Sequence, residues 1–123
     1  MESKWSKNYI RISSFLNKLT GAGGVLYPPK CFYKDILNDS LFMTLAPTND
    51  DIWFWIQGVL KGIRVRVTDN PEYILHYVRN TQSVGLSKIN GGEAGLFWKD
   101  FNRVIMHYPQ LKQTLITEYI LKK

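Results

Sequence analysis

The sequence has one cysteine, Cys31, among 123 residues. A lone thiol cannot close an internal disulfide, so the chain fits a reducing compartment rather than a stapled secreted scaffold. Neither histidine stands near Cys31 in sequence, so it lacks the base a cysteine nucleophile uses and reads as apolar filler beside a turn. His76 and His107 are themselves far apart, with no cysteine or carboxylate at metal-ligand spacing. Long apolar runs are also lacking: none approaches the roughly 18–20 residues of a bilayer span. The opening "MESKWSKNYIRISS" has no apolar centre of the signal-peptide kind. Together these absences read as a cytoplasmic protein. Internal repeats and low-complexity tracts are absent too.

Charge is present without concentration. The net charge is +6 and the sequence pI about 9.5, which permits an anionic partner. The basic residues, however, are spread from Lys4 to Lys123, and the densest set is Lys61, Arg64 and Arg66. No run of five like charges occurs, and no RNA-recognition or zinc-finger signature. A solvated basic surface follows, and a nucleic-acid partner is not favoured. At 45% hydrophobic and 14% aromatic residues, the chain has the material for one folded domain, residues 1–123, and not for a disordered one.

The strongest periodicity begins at Asn49. Ile52, Trp55, Ile56, Val59, Leu60 and Ile63 recur in steps of three and four, which stack on one helical face. Asn49 suits an N-cap, Asp50 and Asp51 suit the first turn, and Gly62 suits the end. "NDDIWFWIQGVLKG" is thus expected to be one amphipathic helix. "KDILND" and "DSLFMTLAP" read as short helices. "YIRIS", "VLY", "IRVRVT" and "EYILHYV" read as short strands. At the C-terminus Phe97, Phe101, Val104, Ile105 and Tyr108 share one helical face. Pro109 then opens a second helix with Leu111, Leu115, Ile116 and Tyr119 inward. Between Arg79 and Gly95 lies a polar stretch with several glycines, long for a structureless loop. The expected fold is mixed α and β: a small sheet of short strands packed with an amphipathic helix and a C-terminal helix pair.

Two stretches carry candidate chemistry. In "GAGGVLYPP", Gly21 to Pro29, three glycines precede a short apolar run. The stretch lacks the lysine of a phosphate loop and the third spaced glycine of a dinucleotide fold, so it reads as a turn leading into a strand. The pair Asp50–Asp51 admits two readings. Acids in a first turn stabilise the helix, and adjacent carboxylates also suit general-base work, since each raises the other's proton affinity. Trp53 and Phe54 fall off the apolar stripe. They either pack on a neighbouring strand or give the carboxylates the aromatic face that a sugar site uses.

Taken together, "TGAGGVLYPPKCF", "LAPTNDDIWFW" and the looser "NTQSVGLSKIN…WKDFNRVIMHYP" resemble the C-terminal, acceptor-side half of small bacterial GT-A-like glycosyltransferases of capsule and lipopolysaccharide synthesis. The resemblance runs from Thr20 to about Gln110. It implies that Asp51 is the base that deprotonates a saccharide acceptor, with Asp50 positioning the acceptor hydroxyl. Gly21, Gly23 and Gly24 would form the floor of the acceptor pocket, with Tyr27 and Trp53 beside it. It also implies a nucleotide-sugar donor and a divalent metal such as Mn or Mg. Their usual Asp-x-Asp motif is not in this sequence, so donor and metal are expected only with an N-terminal half that is absent here, and the chain is expected not to transfer sugar alone. Uncovered apolar surface from a cut domain implies either a homodimer or a rearranged, more helical packing, and peripheral association with the inner membrane face is the membrane expectation. The other reading is a non-catalytic module that binds carbohydrate, protein or nucleic acid.

Overall fold

Eleven residues, Asp50–Leu60, form the central helix of the computed structural model, which describes residues 12–68, 78–81, 83, 85–91 and 95–122. Five α-helices lie among these residues: α1 (Asp39–Leu45), α2 (Asp50–Leu60), α3 (Leu86–Asn90), α4 (Leu96–His107) and α5 (Gln110–Leu121). α2 ends as its sequence proposes. Gly62 adopts φ +82°, which other residues reach only with strain. Its N–H bonds Val59 O at 2.9 Å, and Ile63 N–H reaches back to Gly58 O at 2.9 Å. This is the Schellman pairing that closes the last turn's carbonyls.

α2 is buried on more sides than one stripe allows. Ile52, Trp53, Trp55, Ile56, Gln57 and Val59 are all buried. Trp55 stacks on Phe101 (ring centroids 6.0 Å apart), which stacks on Phe97 at 6.1 Å, so an aromatic ladder joins α2 to α4. Each ring removed from water is worth about 1.5–3 kcal/mol. Their polar atoms are matched: the Trp55 indole N–H donates to Phe15 O at 2.9 Å, and that of Trp53 to Ile36 O at 3.2 Å. α1 and α3 pack on α4, and α2 packs on α5.

The expected mixed α and β fold is not what forms. The described residues are helical and contain no strand. Their only ladder element is an isolated antiparallel bridge between Ser14 and Val65, which exchange backbone hydrogen bonds of 3.0 and 3.1 Å. The physical reason lies in what flanks the bridge. The Asn17 side-chain amide donates to both Ile12 O (2.9 Å) and Val65 O (3.0 Å), so a side chain occupies the place where a longer ladder would grow. In "IRVRVT" only Val65 is half-buried, since Ile63 and Val67 are exposed like Arg64 and Arg66, and only Val65 pairs across to another extended segment. "VLY" is irregular backbone, so the glycine stretch does not lead into a strand. "KDILND" makes turns rather than a helix, whereas "DSLFMTL" is α1. Residues 72–77 of "EYILHYV" and residues 9–11 of "YIRIS" lie outside the described residues.

The C-terminal helix pair forms where it is expected, and Leu111 and Leu115 of α5 pack on the core as expected, but the rest of its inward face differs. Leu111 and Glu118 are buried, whereas Ile116 and Tyr119 are exposed. Glu118 is held by a two-point contact with Arg64, Nε–Oε1 at 3.0 Å and Nη2–Oε2 at 3.2 Å, and accepts the Phe15 N–H at 3.2 Å. This buried carboxylate ties the Ser14–Val65 bridge to the last helix. Part of the long polar stretch folds as α3. No helix among the described residues is long and apolar enough to cross a membrane.

Candidate functional site

Asp50 and Asp51 both occupy the first turn of α2. Neighbouring residues on a helix point about 100° apart, and the two carboxylates accordingly meet different surroundings. Asp51 turns to the glycine stretch. Its Oδ1 accepts the Gly21 N–H at 2.8 Å, joining two motifs separated by 30 positions. A Cβ on Gly21 would lie 2.9 Å from that oxygen, so the approach needs glycine. Gly21–Gly23 form a single 3₁₀ turn, and Gly24 follows with φ +91°. Gly23 and Gly24 face open space, with nothing within 4 Å of where a Cβ would stand.

Tyr27 closes this side. Its ring lies 5.0 Å from Phe32 and 5.8 Å from Phe54, and those two rings are 5.8 Å apart. Burial pushes the Tyr27 hydroxyl pKa up, and the nearby Asp51, Cys31 and Asp50 push it further. The phenol therefore stays protonated at neutral pH. Cys31 itself is buried.

Asp50 turns the other way and lines an open groove of about 380 Å³. Ile36 and Leu37, Phe42 of α1, and Trp53 and Phe54 of α2 supply its apolar lining, and the exposed Asp39 carboxylate joins Asp50 there. Trp53 is 2% exposed, and Phe54 is half-buried. The aromatic side chain close to the carboxylates is thus largely sunk in the wall: Trp53 packs on Phe42 at 5.8 Å and is fixed through its indole N–H. Of the residues expected at a site, Asp50 and Trp53 line the groove, while Gly21, Asp51 and Tyr27 gather beside it, with Tyr27 reaching the groove wall through its ring contact with Phe54 at 5.8 Å.

Sequence reading missed Asp39, Phe42, Ile36 and Leu37. A signal was present: "NDSLF" and "NDDIW" open α1 and α2 with the same Asn-Asp pair. The two asparagines act differently. Asn38 Oδ1 accepts the Leu41 N–H at 3.1 Å, a true cap. Asn49 makes no such bond; its Nδ2 donates to Asp100 Oδ2 at 2.6 Å and to Asn90 Oδ1 at 3.1 Å. Thr48 adds its hydroxyl to Asn90 and Asp100, and Arg103 Nη2 stands 3.0 Å from Asp100 Oδ1 as a charge contact outside hydrogen-bond alignment. This buried cluster sets where α2 begins and so fixes both acids.

His107 lies edge-on to Tyr108 at 4.7 Å, and His76 is outside the described residues. Among the described residues no three His, Cys, Asp or Glu side chains gather as a metal site. No family model, no curated protein and no solved structure matches the chain.

Proposed function

We propose that the chain binds a saccharide in the groove beside α2 and serves as the acceptor-side part of a glycosyltransferase of bacterial surface-polysaccharide synthesis. The observation that carries this reading is the groove's lining, which sets Asp39 and Asp50 beside the rings of Phe42 and Phe54, with Trp53 sunk in the wall behind them. Apolar rings stack on the C–H faces of a sugar while carboxylates accept its hydroxyls. Asp50 is the carboxylate assigned to an acceptor hydroxyl. Asp51 is the proposed base, but it does not line the groove and its Oδ1 holds the Gly21 N–H, so this role requires an acceptor that extends past Asp50 to bring its hydroxyl within hydrogen-bond reach of Oδ2. The nucleotide-sugar donor and its divalent metal belong to a separate donor-binding portion, and the working location is the cytoplasmic face of the inner membrane.

The test is an NMR titration of the chain with a panel of neutral and charged oligosaccharides. The Trp53 indole N–H and the amides of Leu37, Phe42 and Asp50 are expected to shift together and to saturate. Absence of saturable shifts at these positions with every oligosaccharide removes the reading. A second reading, a carbohydrate-binding module without chemistry, is favoured by the Gly21–Asp51 bond, which gives that carboxylate structural work. Supplied with a donor-binding portion, D51N abolishes transfer under the first reading and leaves saccharide binding intact under both.

A further inference from the structure

Charge is divided along the chain. Every exposed or half-buried carboxylate side chain among the described residues lies between Asp35 and Asp51. After Asp51 the described residues hold Asp100 and Glu118, and both are buried against a cation. Arg103 Nη2 stands 3.0 Å from Asp100 Oδ1, and Arg64 Nε 3.0 Å from Glu118 Oε1. The α4–α5 pair therefore presents no carboxylate side chain to solvent, while its Lys99, Lys112 and Lys122 are exposed. Along α5, Lys112, Ile116 and Ile120 follow at steps of four and form one stripe on the outer side. Leu111 and Glu118 are buried on the other. Ile120 and the following Leu121 keep 63% and 72% of their surface exposed. Apolar residues on both sides of a helix call for cover on both sides, and α2 covers the inner one. We infer that the outer face of α5 is a contact surface for a bilayer that contains anionic phospholipid.

The inference rests on the location proposed above, the inner membrane face, and gives that location a surface. Such a bilayer offers phosphates at its headgroups and acyl chains beneath them. A lysine stem beside an isoleucine stripe needs both, in that order. Tyr119, exposed at the edge of the stripe, has the amphipathic ring that suits the boundary between lipid and water. Other occupants fit less well. A second copy of this face brings Lys112 and Lys122 no carboxylate side chain to meet. Nucleic acid supplies phosphate but no apolar phase for the isoleucines. Protein interface cores are depleted in lysine and favour aromatic and arginine anchors, whereas this stripe is lysine and isoleucine. The stripe is short, so the contact is shallow and reversible.

The experiment floats the full chain with vesicles of phosphatidylcholine alone and of phosphatidylcholine mixed with phosphatidylglycerol. The chain is expected to float with the mixed vesicles at low salt, less at high salt, and at background level with phosphatidylcholine alone. The double variant I116N/I120N is expected to weaken binding about tenfold, the scale of two partly inserted aliphatic side chains. K112Q is expected to weaken it about fivefold, the scale of one cation at an anionic surface. Both variants change exposed residues and are checked for native folding by circular dichroism. No binding to the mixed vesicles overturns the inference. Binding unchanged in I116N/I120N also overturns it, since the net charge of +6 alone would then suffice. Binding unchanged in K112Q does the same, since the contact would lie elsewhere. Equal binding to polyglutamate, which has charge without an apolar phase, overturns it in favour of an acidic protein partner. The saccharide titration of the groove uses no lipid, so either result can fail while the other stands.

Discussion

Replacing Arg64 with Met tests how the last helix holds the N-terminal segment. Arg64 makes two hydrogen bonds to Glu118, at 3.0 and 3.2 Å, and its guanidinium carbon lies 4.1 Å from the Phe15 ring centroid. The Glu118 side chain is 3% exposed and that of Arg64 45%. Methionine keeps much of the apolar stem but leaves a buried carboxylate with only the Phe15 N–H and Ser14 beside it. Breaking a fully buried pair costs about 3–5 kcal/mol, and hydrogen bonds to charged groups are worth about 1.5–3. Solvent around the half-exposed Arg64 screens part of this. The expected loss is therefore about 2 kcal/mol, read by urea unfolding with tryptophan fluorescence at pH 7.

The same substitution carries a pH signature. The Arg64 hydrogen bonds pull the Glu118 pKa below its ordinary 4.5, and the Phe15 N–H and Ser14 add to this against the opposing effect of burial. A carboxylate depressed on folding contributes stability that is full above its unfolded value and is lost as the pH falls through its folded value. The gap between wild type and Arg64→Met should thus be widest near neutrality. It should close as the pH drops below about 4.5 and Glu118 takes a proton in both proteins. In an E118Q background the Arg64 substitution should cost much less, because the charge it answers is gone. A gap independent of pH, or one below about 0.5 kcal/mol at pH 7, the scale of an ordinary surface change, would refute the argument.

Three further outcomes follow from other contacts. Gly21→Ala forces the Asp51 carboxylate away from a Cβ at 2.9 Å and should cost about 1 kcal/mol. Asp51→Ala should cost a similar amount, and the double variant no more than either; simple addition in urea melts would mean the Gly21–Asp51 bond is not what was lost. Asp100→Asn leaves one acceptor oxygen, so its N–H₂ must face either Asn49 Nδ2, now 2.6 Å from Asp100 Oδ2, or the Arg103 guanidinium, 3.0 Å from Oδ1, and should destabilise by about 2–3 kcal/mol; unchanged melting counts against the buried cluster. Burial, then the hydrogen bond to Asp35 at 2.7 Å, raises the Tyr108 pKa to about 12. Because the folded value exceeds the unfolded 10.0, this stability is full below pH 10 and is lost as the pH rises towards 12. In Tyr108→Phe the latest tyrosinate step in an ultraviolet titration should vanish; its persistence would assign that step to another phenol.

What the sequence revealed and what it hid follow from the range of the forces involved. α2 was legible because its stop is local chemistry, a glycine that alone takes φ +82° without strain, and because its core residues repeat at helical spacing. The C-terminal helix pair was legible for the same reason, with Pro109 between its members. The strands were not, because alternation only describes a half-buried extended segment, and a ladder needs a partner that no local pattern names. Around Val65 the partner is a single residue, Ser14, and the next position belongs to the Asn17 side chain. The inward face of α5 was legible at Leu111 and Leu115 but not at Glu118, which becomes a core residue only through Arg64, 54 positions away. At the site, the acids were visible as a first-turn pair. The groove was not, since its far wall comes from α1 and from the Ile36–Leu37 turn.

The acidic pair shows how far helix geometry divides neighbours in sequence. Side by side, Asp50 and Asp51 look like one dyad. On α2 they point about 100° apart, and one meets the Gly21 amide while the other meets the groove. Substituting them must then give separable effects. Asp50→Asn should weaken saccharide binding and leave urea stability within about 0.5 kcal/mol, the range of an exposed surface change. Asp51→Asn should loosen the glycine turn, seen as faster exchange of the Gly21 amide proton, and leave binding in the groove unchanged. Asparagine keeps a carbonyl that can accept the same N–H, so its stability loss should be smaller than that of Asp51→Ala. If both asparagine variants weakened saccharide binding equally while the Gly21 amide stayed protected, the two carboxylates would be acting as a single site. The division imposed by the helix would then be the wrong account.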